Sequence, residues 1–173
     1  MSALTAHIPV IETERLTLRA PAASDLPAMA AFFRSDRAVH VGGPLEEWEV
    51  FSRHSSNIGQ WVLRGHGWWT IEDRASQAVA GRCGIGWAPD YPDHELGWQV
   101  YDGFEGCGLA FEAANAALTW WIERGNKPPV SLIGPANTRS RRLAERMGAK
   151  IERETTMRGQ PCLIYRHPER EAA

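Results

Sequence analysis

Long apolar runs are missing from this sequence: none approaches the ~18 residues a membrane-spanning helix requires, which excludes a helical membrane protein. Cysteine is scarce. Cys83, Cys107 and Cys162 are odd in number, widely spaced and without any Cys-x-x-Cys pair, so neither a disulfide framework nor a thiolate zinc site is expected. The thiols are read as reduced. A strong excess of one charge is absent too: 19 Lys and Arg face 21 Asp and Glu, a net charge of −2, which offers no global attraction to nucleic acid or to an anionic membrane surface. Residues 1–19 lack the basic-then-apolar order of a secretory signal and already carry Glu12 and Glu14, so a cytoplasmic location is expected. With no repeat, low-complexity tract or linker, the 173 residues are read as a single domain, 1–173.

The hydrophobic share of 43% and the charged share of 23% are those of an ordinary globular protein. Charge is unevenly placed. Residues 1–137 hold ten Lys and Arg against sixteen Asp and Glu, net −6, whereas residues 138–173 hold nine against five, net +4. A solvated charged face explains this, as would an anionic ligand at the junction. Eight tryptophans are the compositional oddity, read mainly as core residues with one or two left for stacking on a substrate.

Apolar and polar residues alternate over 14–19, the period-2 pattern of a half-buried strand that Pro21 ends. Ser24 is the expected cap of a helix over 25–34, with Leu26, Met29, Ala30 and Phe33 on one face. A second helix over 45–63 places Trp48, Phe51, Ile58, Trp61 and Val62 at roughly helical spacing, with an interruption expected near Gly59. Strands follow at 68–71 and 78–87 as a hairpin, the second weakened by Gly81, Gly84 and Gly86. In the next strand, 94–101, His94, Leu96, Trp98 and Val100 share one face and Glu95, Gly97 and Gln99 the other. A helix over 108–124 closes at Gly125, a short strand covers 130–133, a helix 138–147 stops at Gly148, and strands at 150–156 and 162–167 end the chain. Without regular β-α-β alternation, the fold class is a mixed α/β (α+β) one, a mixed sheet with helices on both faces.

Several familiar sites are excluded. No Gly-Lys-Ser/Thr phosphate loop and no Gly-x-Ser-x-Gly elbow occurs, His94-Glu95 has Trp98 where a metalloprotease helix needs its second histidine, and Phe111 breaks a dinucleotide fingerprint. No metal site is expected. What remains is Glu105-Gly106-Cys107-Gly108-Leu109-Ala110, where a strand hands over to a helix. Glycines there let successive N–H groups converge, and the helix dipole adds positive potential, so the loop suits a pyrophosphate; a tight turn alone would also use two glycines. Asn137-Thr138-Arg139-Ser140 opens the next helix, which ends at Met147-Gly148.

Glycine loop, helix, strand and Asn-x-x-Ser helix, taken in that order, resemble the GNAT superfamily of acyl-CoA-dependent N-acetyltransferases. Within it, the opening strand at 14–19, the Asp25-Leu26 helix and Glu95-Leu96-Gly97-Trp98 are similar to the ribosomal-protein N-terminal acetyltransferase branch. The resemblance covers nearly the whole chain and implies a mostly antiparallel central sheet. It implies that acetyl-CoA is the cosubstrate, with the amides of Glu105, Gly106, Cys107, Gly108, Leu109 and Ala110 on the pyrophosphate. Backbone groups at Gln99, Val100 and Tyr101 would pair with the pantetheine arm, and Asn137 and Ser140 would lie near the thiol. Two departures stand out: Glu105 where many members carry Gln or Arg, and Ala144 where many carry a proton-donating tyrosine. Ser140 is therefore the expected stabiliser of the leaving thiolate.

Acetyl transfer needs a neutral amine, a polarised thioester carbonyl and a stabilised thiolate. Glu95 is the candidate base by placement, although a solvent-facing strand carboxylate would look the same in sequence. The expected acceptor is an amine-bearing small molecule or a protein N-terminus, with Glu46, Glu47 and Glu49 placed to attract a cationic one. Nucleic acid and membrane partners are not expected, and a homodimer is left open. A catalytically weak or inactive acyl-CoA-binding protein on the same scaffold is the alternative.

Overall fold

Alternating strands and amphipathic helices assemble, in a computed structural model describing residues 7–169, around one eight-stranded sheet. The strands are β1 (Ile11–Glu12), β2 (Leu16–Arg19), β3 (Trp68–Asp73), β4 (Val79–Gly86), β5 (Glu95–Val100), β6 (Val130–Ile133), β7 (Lys150–Met157) and β8 (Gln160–Arg166), in spatial order β1-β2-β3-β4-β5-β6-β8-β7. Every neighbouring pair is antiparallel except β5 and β6. The helices are α1 (Leu26–Arg34), α2 (Glu47–Arg64), α3 (Leu109–Ile122) and α4 (Thr138–Arg146).

On one face, α3 lies across β4 and β5, burying Leu109, Ala113, Ala117, Leu118, Trp120 and Trp121 against Trp69, Ile71, Cys83, Ile85 and Leu96. Small residues on α3 let it approach the strands closely, while the large side chains come from the strands and the helix end. Ala144 of α4 joins this side, packed with Ile133, Leu163, Tyr165 and Trp98. The other face is covered by α1, whose Met29 and Phe33 pack with Val50 of α2 and with Tyr101.

Two helix expectations need correction. Asp25, not Ser24, precedes α1, and its buried carboxylate takes hydrogen bonds from Arg19 (2.9 Å), Thr70 (2.6 Å) and the Ala22 N–H (2.9 Å). The helix α2 runs unbroken through Gly59, and its inward stripe is Val50, His54, Asn57 and Trp61, while Trp48 and Phe51 are 70% and 60% exposed. The apolar spacing misled because α2 buries two polar residues that each satisfy backbone: His54 reaches the Ala22 carbonyl, and Asn57 bonds both the N–H (2.7 Å) and the C=O (3.0 Å) of Trp68. That amide stands in for a strand partner at the start of β3.

Candidate active site

The two parallel strands β5 and β6 are paired at one position only, Glu95 with Val130. Beyond it they part, and the Ser131 hydroxyl bridges to the Leu96 carbonyl at 2.6 Å. The Tyr101 N–H bonds the Ala80 carbonyl of the neighbouring chain segment, and in an antiparallel ladder bonding direction alternates. Odd-numbered residues of β5 therefore turn their backbone to β4, and even-numbered ones turn theirs toward the gap. Leu96 obeys this rule, as does Val100, whose carbonyl faces outward to accept from Arg37 at 2.8 Å. Of the three positions expected to meet a pantetheine arm, Val100 turns its backbone away from β4, as Trp98 does, whereas Gln99 and Tyr101 turn theirs toward β4. The Tyr101 ring is buried, stacked on Phe32 at 5.3 Å.

A cavity of about 790 Å³ occupies this gap and the α1–α2 side of the sheet. Glu95, Gly97, Gln99, Asn137 and Ser140 all line it, so four of the expected site residues, from β5 and from the start of α4, converge. Asn137 caps α4 by accepting from the Ser140 N–H at 3.2 Å. Ala144, one turn further along, is fully buried against β6 and β8, which leaves no room there for a tyrosine aimed at the cavity. Tyr165, packed beside Ala144, spends its hydroxyl on Glu145 and Arg141, and the phenol that lines the cavity is Tyr91.

Burial pushes the Glu95 carboxyl up to about 7, against the opposing pull of hydrogen bonds from Tyr91 and the Leu132 backbone and of the Arg158 and Arg82 charges. At neutral pH the group is poised between its two forms. His54 and His66 are buried on backbone carbonyls, His94 packs on Trp121 at the α3 side, and His167 is buried against the Ser131 hydroxyl at 2.9 Å. His40 lies on the exposed rim of the cavity.

Trp68, Trp87 and Trp98 also line the cavity, whereas Trp61, Trp69, Trp120 and Trp121 are core residues. The Trp68 indole lies so close over Gly97 that a Cβ there would meet it at 2.3 Å. A Cβ at Gly84 would lie 2.2 Å from the Gly67 carbonyl oxygen, so close backbone approach explains the glycine in β4. Sequence reasoning missed Arg82, a buried arginine on the same cavity wall. The signal was there: a guanidinium in the middle of a strand whose other residues are small or apolar.

The loop Glu105–Ala110 lies outside that cavity, at the N-terminus of α3. Gly106 (φ +75°) and Gly108 (φ +81°) take left-handed conformations that favour glycine. Glu105 does not add an uncompensated negative charge: it pairs with Arg37 at 3.1 Å and receives the Gly103 N–H at 2.7 Å. Arg15 holds the Cys107 carbonyl at 2.8 Å while paired with Glu112, which fixes the loop's outer side. The N–H groups of the first turn of α3 have no intrahelical acceptor, and these are what an anion would use. Glu46, Glu47 and Glu49 do not line the cavity. Glu49 caps its own helix at the Glu46 N–H and Glu47 pairs with Arg34; the α2 charge that reaches the cavity is Arg53.

An eight-stranded, mostly antiparallel sheet parted between two parallel strands, with a glycine turn leading into the following helix, is an acetyltransferase type of fold. The chain belongs to the GNAT acetyltransferase family: the model for "Acetyltransferase (GNAT) domain" matches residues 15–150. The acetyltransferase from Agrobacterium tumefaciens str. C58 is similar at 36% identity, with a TM-score of 0.87 over 97% of this chain and 99% of that one. The ribosomal L7/L12 alpha-N-protein acetyltransferase RimL, solved with coenzyme A, shares the fold at 19% identity and a TM-score of 0.77, covering 95% of this chain and all of its own. Protein YkkB of Bacillus subtilis is 30% identical over 121 residues, 66% of this chain and 69% of that protein. Among the described residues no helix is long and apolar enough to cross a membrane.

Proposed function

We propose that this protein is an N-acetyltransferase that moves an acetyl group from acetyl-CoA to a primary amine, of a small molecule or a protein N-terminus, by direct attack. The observation that carries the reading is the parting of β5 from β6, with Glu95 at the point of divergence and Asn137 and Ser140 lining the same cavity. The residues present fit acetyl-CoA: extended backbone of Trp98 and Val100 faces the gap, and the turn Gly106–Gly108 ends at an α-helix N-terminus. Bound there, the thioester supplies the activated acetyl group.

The chain's own part is proton handling and charge stabilisation. Ionised Glu95, directly or through water, takes the proton from the amine, whose nitrogen forms a bond to the thioester carbon while a backbone N–H facing the gap, at Trp98 or Val100, polarises the carbonyl oxygen. As the C–S bond breaks, its electron pair stays on sulfur, where the Ser140 hydroxyl donates a hydrogen bond to the thiolate, which then takes up a proton from solvent. A carboxyl near 7 is well matched to this exchange at neutral pH. Coenzyme A release measured over a panel of primary amines tests the reading.

One observation favours a second reading, an acyl-CoA-binding protein without turnover: Ala144 replaces the tyrosine of many relatives and is sealed in the core. Thermal stabilisation by acetyl-CoA without coenzyme A release on any amine would establish that alternative.

A further inference from the structure

The cavity carries an imbalance that acetyl transfer does not use. Its lining holds three guanidinium groups, Arg53, Arg82 and Arg158, and a single carboxylate, Glu95. Arg158 is neutralised by Asp90 at 2.7 and 3.0 Å. Arg53 lies over the Phe33 ring at 4.9 Å and donates to the Val41 carbonyl at 3.0 Å. Arg82 is the exceptional one. It is 8% exposed, and among the described residues it forms no ion pair, has a buried Nε without a hydrogen-bond partner, and directs another nitrogen only at the Met29 sulfur, 3.5 Å away.

Burying an unpaired charge is costly, and stacking over the Trp68 indole at 4.3 Å offsets only part of that cost. Directly across the β4–β5 ladder from Arg82 is Gln99, whose buried Oε1 also lacks a partner. One unsatisfied donor and one unsatisfied acceptor thus share a wall of the cavity with a desolvated positive charge. Gly97 keeps that wall open by admitting the Trp68 ring beneath it. Gln99 and Glu95 are four residues apart on the same face of β5, about 13 Å at a strand's ~3.3 Å per residue.

We infer that Arg82 is the receptor for an anionic oxygen group on the acceptor, so that the amine substrate is a small amphoteric molecule carrying a carboxylate or phosphate. The anion supplies the counter-charge that the fold withholds from Arg82, and its chain lays the amine toward Glu95. A purely cationic amine would meet repulsion from two guanidiniums, which sets this acceptor class apart from the cationic acceptor that the acidic start of α2 suggested. This role rests on the transferase reading above.

The test pairs ω-amino carboxylates of increasing chain length with alkylamines of the same length, and adds one ω-aminoalkyl phosphate, in coenzyme A release assays. A hydrogen-bonded charge pair in such a site corresponds to a preference of about 10- to 100-fold in kcat/KM, expressed mainly in KM. The wild-type protein is expected to show it for at least one chain length, Arg82→Lys to keep part of it, and Arg82→Gln to bring the ratio close to one. Whether phosphate matches or exceeds carboxylate identifies the anion. A wild-type ratio at or below one for every length overturns the inference without any variant, as does an unchanged ratio in folded Arg82→Gln. A carboxylate lacking the amine, read by thermal shift, separates this failure from that of the transferase reading. Stabilisation lost in Arg82→Gln with no turnover on any amine leaves the anion site standing and removes the transferase; turnover of alkylamines with no such stabilisation does the reverse.

Discussion

On the α3 side of the sheet, Trp69, Ile71, Cys83, Ile85 and Leu96 have no exposed surface, and Trp69 meets Trp61 and Trp120 edge-on at ring distances of 4.7 and 4.9 Å. On the opposite side, the alternate residues of the same strands are Trp68, Thr70, Arg82, Glu95 and Gln99. The first set interlocks as an organic solid does, and its value is stability. The second leaves polar atoms unsatisfied and a carboxyl displaced toward neutrality, both of which cost stability and create affinity. Strand alternation lets one backbone serve both ends, because each residue on one side is fixed in place by its neighbours on the other.

The largest effect expected from breaking this division is on turnover. Glu95→Gln removes the proton acceptor and should lower kcat by about 10²- to 10⁴-fold while acetyl-CoA affinity stays near its original value. In the wild-type protein, activity should rise with pH through about 7 as Glu95 ionises, and the variant should lose that limb. The same group has a stability signature of the opposite sense. Its folded pKa is raised, so its contribution is present at pH below the ordinary carboxyl value and is lost as pH rises toward about 7; urea melts should show this slope vanish in Glu95→Gln. An unchanged kcat in the folded variant would remove Glu95 as the base.

Adjacent tryptophans give a direct test of the two faces. Trp69→Ala empties a fully buried site and should cost about 3–5 kcal/mol, lowering the melting temperature by roughly 10 °C or more. Trp68→Ala should cost less, about 1–2 kcal/mol, because one side of its ring already borders the cavity. Equal losses would mean that the cavity side is packed as a core.

Much of this division could be read from sequence. The alternation over 94–101 correctly separated Leu96 and Trp98 from Glu95, Gly97 and Gln99, because a period of two leaves no ambiguity once the strand is recognised. The Asn137 cap and the glycine turn were legible for the same reason: each is a local backbone requirement. Arg82 was legible only as a guanidinium in a strand of small and apolar residues; that no carboxylate among the described residues pairs with it in space is something no spacing encodes. The inward face of α2 was not legible, since Asn57 is buried for the sake of the Trp68 backbone and Trp48 is left in solvent. The two-residue β1 carries too few residues to show any period.

A smaller effect is expected at Asp25, the anchor between α1 and the cavity side of β3. Burial works to raise this carboxyl, but hydrogen bonds from Arg19, Thr70 and Ala22 and the Arg19 charge outweigh it and hold it below its usual value. Asp25→Asn should cost about 2–4 kcal/mol at neutral pH. Because the folded pKa is depressed, the wild-type advantage is present above the ordinary carboxyl range and fades as pH falls through the folded value. The gap between wild type and variant should therefore be full at pH 7 and narrow progressively as pH is lowered below the ordinary carboxyl range. A constant gap would place the stabilisation in shape and not in charge.

The smallest perturbation is chemical labelling, which sharpens the comparison by asking whether the third region, the glycine turn, belongs with the cavity side. Cys83 and Cys162 are buried, and burial pushes both thiols up, so neither should react readily with an alkylating reagent. Cys107 is exposed between Gly106 and Gly108, its sulfur resting 3.4 Å from the Glu105 carbonyl. It should be alkylated first, and coenzyme A should protect it by covering the turn. Residue-resolved mass spectrometry with and without the ligand measures both effects. Exposure already excludes a side chain hidden in the core as the reason for equal labelling in the two states, so that outcome would mean that the phosphates do not sit on this turn. Gly108→Val supplies the confirming arm: at φ +81° a β-branched residue is strained, the N–H groups are displaced, and both coenzyme A affinity and protection of Cys107 should fall together.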